Sequence, residues 1–521
     1  MVRISGFASG MDIDQLVKDL MKAEKIPLNK ITQTKQIYEW QRDAYRDVNK
    51  SLKELDDLIF NGINRQSNML AKKAISGNDS AVSAEVTPGA TTMTSTIQVN
   101  KLATSSVWSS TNIVDKTTYV GETVALNFDV TKPGATASTP VTININATDT
   151  FDQVISKINS DANLGISAFF DSATNKVVLT SKQSGSGANI AVNDGATGAF
   201  MSKLGFTDGG ADLIAGQNLT GQQAGTGTDA EVVINGFTTT RPSNTFEVNG
   251  VKYTLKQTTA TPVSVGVSQD VDKAFDTIVK FIGKYNEVIG NLNTKTTEAK
   301  YRSYKPLTDE EKESMSDKQI EMWETRAKSG LLKNDAAISN GVDEFVSNMS
   351  NKILPGTVGI NTDFDTLSEI GITTSSNYRE VGKLIINEDK LKAALANNPD
   401  QVYALFSKTT DSAISSIPRE KRTTAQQQQF VSESGIVARL RDSIRAVTLK
   451  VEKRAGNEFR AATQYELGKN ILDIDKKITD FNRKLGSTEE RYYKQFSLME
   501  QAIQKANQQA AYLMNAFGGG G

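Results

Sequence analysis

The sequence predicts a multidomain α+β fold, in which paired N- and C-terminal coiled-coil helices and a helical bundle carry inserted β-rich head domains. Three observations predict it. Apolar residues recur at heptad spacing near both ends of the 521-residue chain. From Ala74 to about Val267 that spacing stops, and Thr, Ser, Asn, Gly and Ala dominate. At Asp270 a heptad stripe returns.

The terminal seam is the longest. Leu467, Ile471, Ile474, Ile478, Phe481 and Leu485 alternate steps of four and three. After a stutter at Tyr492 and Phe496 the seam resumes at Met499, Ile503, Ala506, Ala510, Leu513 and Phe517. It amounts to about 75 Å of helix at 1.5 Å per residue. A stripe that long needs a partner, and Ile31, Tyr38, Tyr45, Leu52 and Ile59 supply one at the other end, recurring every seven residues. Before them, Asp12 to Gln15 reads as a capping box, with Gln15 reaching back. Ile13, Leu16, Val17, Leu20 and Met21 follow on one face, and Pro27 breaks or kinks the helix. Gly62 is its expected end. The apolar faces at Ile4–Met21 and Met499–Phe517 exceed what one antiparallel pair buries. They mark Ile4, Phe7, Met11, Ile13, Leu16, Leu20, Met499, Ile503, Leu513 and Phe517 as candidate contacts to a partner or a further subunit.

In the middle, short apolar runs between turn residues read as strands: Ala81–Val86, Thr94–Leu102, Val124–Val130, Val141–Ile145, Ile166–Phe170 and Val177–Thr180. Asn235-Gly236 and Asn249-Gly250 each separate two further runs and supply the positive φ angles of a tight hairpin. Thr150 to Asn159 reads as a short helix. Gly209–Gly216 and Gly221–Thr228 read as loops or a hinge. From Gly77 to Asp270 there are 10 basic and 16 acidic residues, which suits an exposed, soluble head.

Beyond Asp270, Val271, Phe275, Ile278, Ile282, Tyr285, Ile289 and Leu292 form a third heptad helix. Ala336–Ile353 reads as a helix closed by Pro355-Gly356, Lys383–Ile386 as a strand and Asp389–Ala396 as a small helix. Ser407–Gln429, with Pro418 and four consecutive glutamines, reads as a linker or mobile loop. Ile436, Leu440, Ile444, Val447 and Val451 make a fourth amphipathic helix.

Composition narrows the function. With 59 basic and 60 acidic side chains the net charge is −1, which argues against a protein that coats nucleic acid. No apolar run approaches the roughly 20 residues of a membrane span, and residues 1–10 lack the apolar core of a secretory signal. The absence of cysteine excludes disulfides and thiolate chemistry, and the absence of histidine excludes Ser-His and Cys-His nucleophile pairs and His-ligated zinc. Asp309, Glu310, Glu311 and Glu313 fit a solvated helix start rather than a metal cage. Ser184-Gly185-Ser186-Gly187 lacks the lysine of a phosphate loop, and Asp208, Asp212 and Asp229 do not match calcium-loop spacing. No catalytic residue, metal or cofactor is expected. Such a chain is built to assemble.

Several motifs resemble the flagellar filament cap family, FliD or flagellar hook-associated protein 2. They are Arg3-Ile4-Ser5-Gly6-Phe7-Ala8-Ser9-Gly10-Met11-Asp12, then Glu24-Lys25-Ile26-Pro27-Leu28, then the aromatic-rich Tyr38 to Arg46. Thr150 to Asn159 with Gly165-Ile166-Ser167-Ala168 resembles a small module shared by flagellins and their cap. Pro306-Leu307-Thr308-Asp309, Leu331 to Asp335 and Leu384 to Pro399 resemble the family's C-terminal half.

The resemblance implies a structural cap, not an enzyme, at the distal, extracellular tip of the bacterial flagellum. It implies export by the flagellar type III route without a cleaved signal peptide. The cap promotes folding and polymerisation of exported flagellin and prevents its loss to the medium. The implied partners are further copies of the chain in a ring, a pentamer on the filament, together with flagellin, the hook-filament junction protein and a cytoplasmic export chaperone. In some members the head binds host mucin, and the residues here lend that no independent support. The domains expected are residues 1–40 with 468–521 as a helical leg and 41–75 with 270–467 as a helical stalk. Residues 76–106 with 228–269 form a β-rich head, and 107–227 an inserted head domain with the flagellin-type module. The alternatives are a flagellin or junction protein, a coiled-coil surface adhesin that binds glycans without capping, and a carboxylate hydrolase.

Overall fold

The computed structural model describes residues 11–219, 222–354 and 361–517. The chain opens with α1 (Ile13–Asn61) and α2 (Gln66–Met69). Strands β1 (Lys72–Ser76), β2 (Val82–Val86), β3 (Met93–Lys101), β4 (Ser105–Ser109), β5 (Val124–Thr131) and β6 (Thr139–Ile145) lead to α3 (Phe151–Ser160). Then come β7 (Ile166–Asp171), β8 (Lys176–Ser184), β9 (Asn189–Val192) and α4 (Gly195–Lys203). The strands continue with β10 (Gln222–Gly225), β11 (Ala230–Ile234), β12 (Phe237–Arg241), β13 (Thr245–Val248), β14 (Val251–Leu255) and β15 (Val263–Gln269). Helices return as α5 (Val271–Thr297), α6 (Asp309–Glu313), α7 (Asp317–Lys328) and α8 (Ala336–Ser350). A hairpin of β16 (Ile372–Thr374) and β17 (Leu384–Ile386) precedes α9 (Glu388–Asn397) and α10 (Pro399–Ser407). The chain closes with α11 (Ser412–Ser415), α12 (Thr424–Glu433), α13 (Ile436–Ala455) and α14 (Glu466–Phe517). Two compact units result, Met1–Ala71 with Val271–Gly521, and Lys72–Asp270.

In the helical unit α1, α5, α8 and α13 bury their apolar stripes in one core. Leu52, Leu55 and Ile59 meet Ile278, Phe281, Tyr285, Phe345, Leu440 and Ile444 there. Heptad spacing accounts for it, since each helix presents one face and the four faces close on one another.

Four expectations change in this unit. Pro27 does not break α1, which runs on through it. The proline forfeits one backbone bond, and contacts to α14 hold the helix on both sides, Glu24 to Tyr492 before it and Lys35 to Asp475 after it. Asp12 caps α1 by accepting from the Gln15 amide, but the Gln15 side chain turns forward to Asp19 instead of back. Helix α8 stops at Ser350, where Asn351 turns extended and Arg439 takes the carbonyls of Asn351 and Lys352. Pro355-Gly356 lies outside the described residues. Ser407–Gln429 is not a loose linker. It holds α11, a 3-10 turn at Arg419–Lys421 and the start of α12, and it is tied down by Arg419 and Arg422 on Asp442 and by buried Phe430.

The β unit contains two apolar clusters. A five-stranded sheet in the order β1-β15-β3-β11-β12 shares one with a three-stranded sheet, β13-β14-β2, around Val82, Ile97, Val232, Tyr253 and Val265. A four-stranded sheet, β10-β4-β8-β7, shares the other with β6-β5-β9, α3 and α4, around Trp108, Leu126, Phe128, Val154, Leu179 and Phe200. Both Asn-Gly pairs make their hairpins, with φ of 49° and 84° at Asn235 and Gly236 and 54° and 76° at Asn249 and Gly250. Part of the stretch expected as a loop after Gly221 is strand β10, with Gln223 paired to Trp108 on β4.

Candidate assembly surface

Helices α1 and α14 run antiparallel. As α1 advances from Asp14 through Lys35 to Arg46, its partners on α14 and just before it recede from Tyr493 through Asp475 to Tyr465. The tyrosine hydroxyls of the stutter supply two of the links. Tyr493 Oη donates to Asp14 Oδ1 at 3.0 Å, and Tyr492 Oη donates to Glu24 Oε1 at 2.9 Å. The stutter that interrupts the apolar register is therefore where polar links take over. Lys35 Nζ sits 2.8 Å from Asp475 Oδ1, and that bond holds the lysine above its ordinary range.

The seam residues divide between two settings. Tyr45, Leu52, Ile59, Ile278, Ile282, Tyr285 and Ile289 lie in the four-helix core, with Val271 and Phe275 half-buried against it. Leu467, Ile471, Ile474 and Leu485 are buried, whereas Ile31, Tyr38, Ile478 and Phe481 are half-buried. Among the candidate contact residues, Ile13 is buried with Val17, Met21 and Leu485 in a small cluster of its own. Met11 and Ile503 are half-buried, and Leu16, Leu20, Met499 and Leu513 are exposed. Ile4, Phe7 and the side chain of Phe517 lie outside the described residues.

Beyond Tyr493, α14 continues to Phe517, about 36 Å at 1.5 Å per residue. This stretch carries an apolar patch: Tyr512 is 75 % exposed, Leu513 53 % and Met514 79 %. Ordinary surfaces scatter such residues singly, and three in succession leave this helix end apolar around much of its girth, surface that a partner can bury.

Two groups in the helical unit escape a sequence reading. Arg439 is fully buried without a carboxylate. Its guanidinium donates to the carbonyls of Asn351, Lys352 and Ser432, and burial pushes its pKa down to about 10. It remains a cation at neutral pH, held by carbonyl dipoles near the ends of α8 and α12. Tyr45, Asp335 and Arg454 form a tie between α1, α8 and α13, and burial, reinforced by the Asp335 carboxylate, pushes the Tyr45 phenol up. No periodicity announces either group, because each depends on elements far apart in sequence.

The remaining polar clusters are structural. A groove of about 1200 Å³ lies along α1 and α13, and several of its charged side chains pair within it, Arg441 with Asp56 and both Arg419 and Arg422 with Asp442. Thr308 and Glu311 form the capping box of α6. Asp229 accepts from the Ser186 amide and Asp208 from Gln217. Among the described residues no three acidic side chains gather to hold a metal, and no helix is long and apolar enough to cross a membrane.

The family model described as flagellar hook-associated protein 2 C-terminus matches residues 227–508, and the one described as flagellar hook-associated protein 2 N-terminus matches residues 9–106. The flagellin hook IN motif matches residues 125–183, the span from β5 into β8. Flagellar hook-associated protein 2 of Halalkalibacterium halodurans is 35 % identical over 99 % of this chain and all of its own length. The A-type flagellar hook-associated protein 2 of Pseudomonas aeruginosa is 25 % identical over 98 % of this chain and 96 % of its own. A crystal structure of the flagellar cap protein FliD D1-D2-D3 domains from Escherichia coli shares the fold. Its TM-score is 0.53 at 20 % identity, covering 83 % of this chain and 99 % of that one.

Proposed function

This chain belongs to the flagellar hook-associated protein 2 family, and from that premise we propose that it caps the distal end of the filament with its terminal helix pair as the leg. The family is one of structural flagellar cap proteins, not of enzymes. The observation that carries the leg assignment is the exposed Tyr512-Leu513-Met514 patch on α14, with Leu16 and Leu20 exposed on α1. A helix pair that satisfies its inner face and leaves apolar residues outside is suited to subunits that supply the missing cover. In the filament that cover is flagellin, and between neighbouring caps it is a second copy of the chain.

In this reading the leg comprises residues 1–40 with 468–521 and the stalk 41–75 with 270–467, and the two β-rich parts serve as the head. The chain leaves the cell by the flagellar type III route and forms a ring, a pentamer on the filament. There it gives emerging flagellin a sheltered place to fold and join, so that little escapes. The hook-filament junction protein and an export chaperone are its partners before that point. Mucin adhesion rests on the family resemblance alone.

The test is location. An epitope-tagged chain, expressed in place of the native one and imaged with gold-labelled antibody, should decorate distal filament tips. Label along the filament sides or on the cell body alone would overturn the reading.

A further inference from the structure

The β unit holds a cleft that neither the capping reading nor the fold requires. Its volume is about 290 Å³, near the lower end of ligand pockets, which begin at roughly 300 Å³. It opens between β8 and the β5-β9 pair, with Leu164 and Ile190 as apolar wall and Trp108 as floor. Trp108 is only 4 % exposed. Among the described residues its indole N–H has no acceptor, and it is not one of the fully enclosed polar atoms. A buried tryptophan ordinarily finds a partner for that hydrogen.

Charge gives the second observation. The stretch Gly77–Asp270 carries 10 basic against 16 acidic residues, yet the cleft is lined by Lys132 and Lys182 and by no Asp or Glu. The carboxylates nearest in sequence are engaged elsewhere: Asp129 accepts from Asn193, and Asp161 from the amides of Asn163 and Leu164. Lys182 Nζ is steadied by the carbonyl of Asn159 at 2.8 Å, which leaves its other hydrogens for an incoming group. Asn189 adds a side-chain amide to the lining. A cationic rim over an apolar floor with one unfilled N–H donor selects an anion with a flat or apolar body.

We propose that this cleft binds a small, ring-sized monocarboxylate, its carboxylate on Lys132 and Lys182 and its ring over Trp108. The volume suits one ring, and a single acidic side chain would leave much of it empty. Sugar acids and aromatic acids share this chemistry, and the test separates them.

The chain has three tryptophans, so the full-length Trp40→Phe/Trp323→Phe variant reports Trp108 alone. Titration with glucuronate and with benzoate, each to about 50 mM so that millimolar binding is detected, should change Trp108 emission saturably for at least one. The stronger response names the source, and glucose, the neutral control, should give none. Lys132→Ala/Lys182→Ala alters two exposed side chains and should weaken the affinity at least tenfold, with an unchanged circular dichroism spectrum. Iodide should also quench Trp108 more strongly than caesium does. No saturable change with either acid, an equal response to glucose, or equal quenching by the two ions would overturn the proposal.

Discussion

Tyr45 Oη donates to Asp335 Oδ2 at 2.6 Å, across 290 residues of sequence. Asp335 is also the N-cap of α8, accepting from the amides of Ala337 and Ile338, and Arg454 on α13 bonds both residues. One buried contact thus fixes the register of α1 against two other helices of the bundle. Tyr45→Phe keeps the ring and removes the hydroxyl's bonds to two charged partners, Asp335 and Arg454, which costs about 1–3 kcal/mol. Chemical denaturation should show the loss. A midpoint equal to wild type would mean that the tie contributes nothing to the helical unit.

Two glycines of α14 should respond in opposite directions. At Gly486 an added Cβ meets nothing within 4 Å, so Gly486→Ala should stabilise the helix by about 0.5–1 kcal/mol, the ordinary propensity difference. At Gly468 a Cβ would lie 2.2 Å from the Ala462 carbonyl oxygen and 2.7 Å from the Tyr465 ring. Gly468→Ala should therefore destabilise, because backbone in the way outweighs propensity. Thermal melts of the pair decide it, and two equal shifts would contradict the packing.

The β unit should lose stability in acid partly through Asp194. The Asn127 amide, and after it the Thr197 backbone and hydroxyl, hold the Asp194 carboxyl below the usual carboxylate range, and Asp194 caps α4. A depressed folded-state pKa gives stability that is present above the unfolded value, near 4, and that is lost as pH falls through the folded one. Below about pH 4 the wild type should therefore weaken more steeply than Asp194→Asn. Parallel slopes in pH-dependent denaturation would remove Asp194 from the account.

Truncation of Asn507–Gly521 removes the exposed patch and leaves every core cluster in place. The shortened chain should keep its denaturation midpoint yet occupy filament tips more weakly. Unchanged tip occupancy would count against a leg role for this end of α14.

Much of this architecture is readable from the residues, because the periodicities that set it are local. The heptads of α1, α5, α13 and α14 and the hairpins at Asn235-Gly236 and Asn249-Gly250 each need only a short window. What escapes that window depends on distant partners. Strand β1 begins with Lys72-Lys73 and has no clear alternation, and it exists because β15 pairs with it nearly two hundred residues later. The Ser407–Gln429 stretch looks loose for want of apolar spacing, whereas Arg419 and Arg422 reach Asp442 on another helix. Pro27 looks like a break because propensity says so, and contacts to α14 on either side override it. The exposed patch on α14 was legible as surplus apolar surface, but Trp108 and its cleft were not, since β4, β5, β8 and β9 must first assemble.

The central claim is that this chain closes the growing end of the filament. The direct measurement is flagellin in the culture medium after deletion of its gene. Abundant monomeric flagellin with stunted or absent filaments, reversed by the full chain, is the predicted result. Normal filaments with little free flagellin would contradict it.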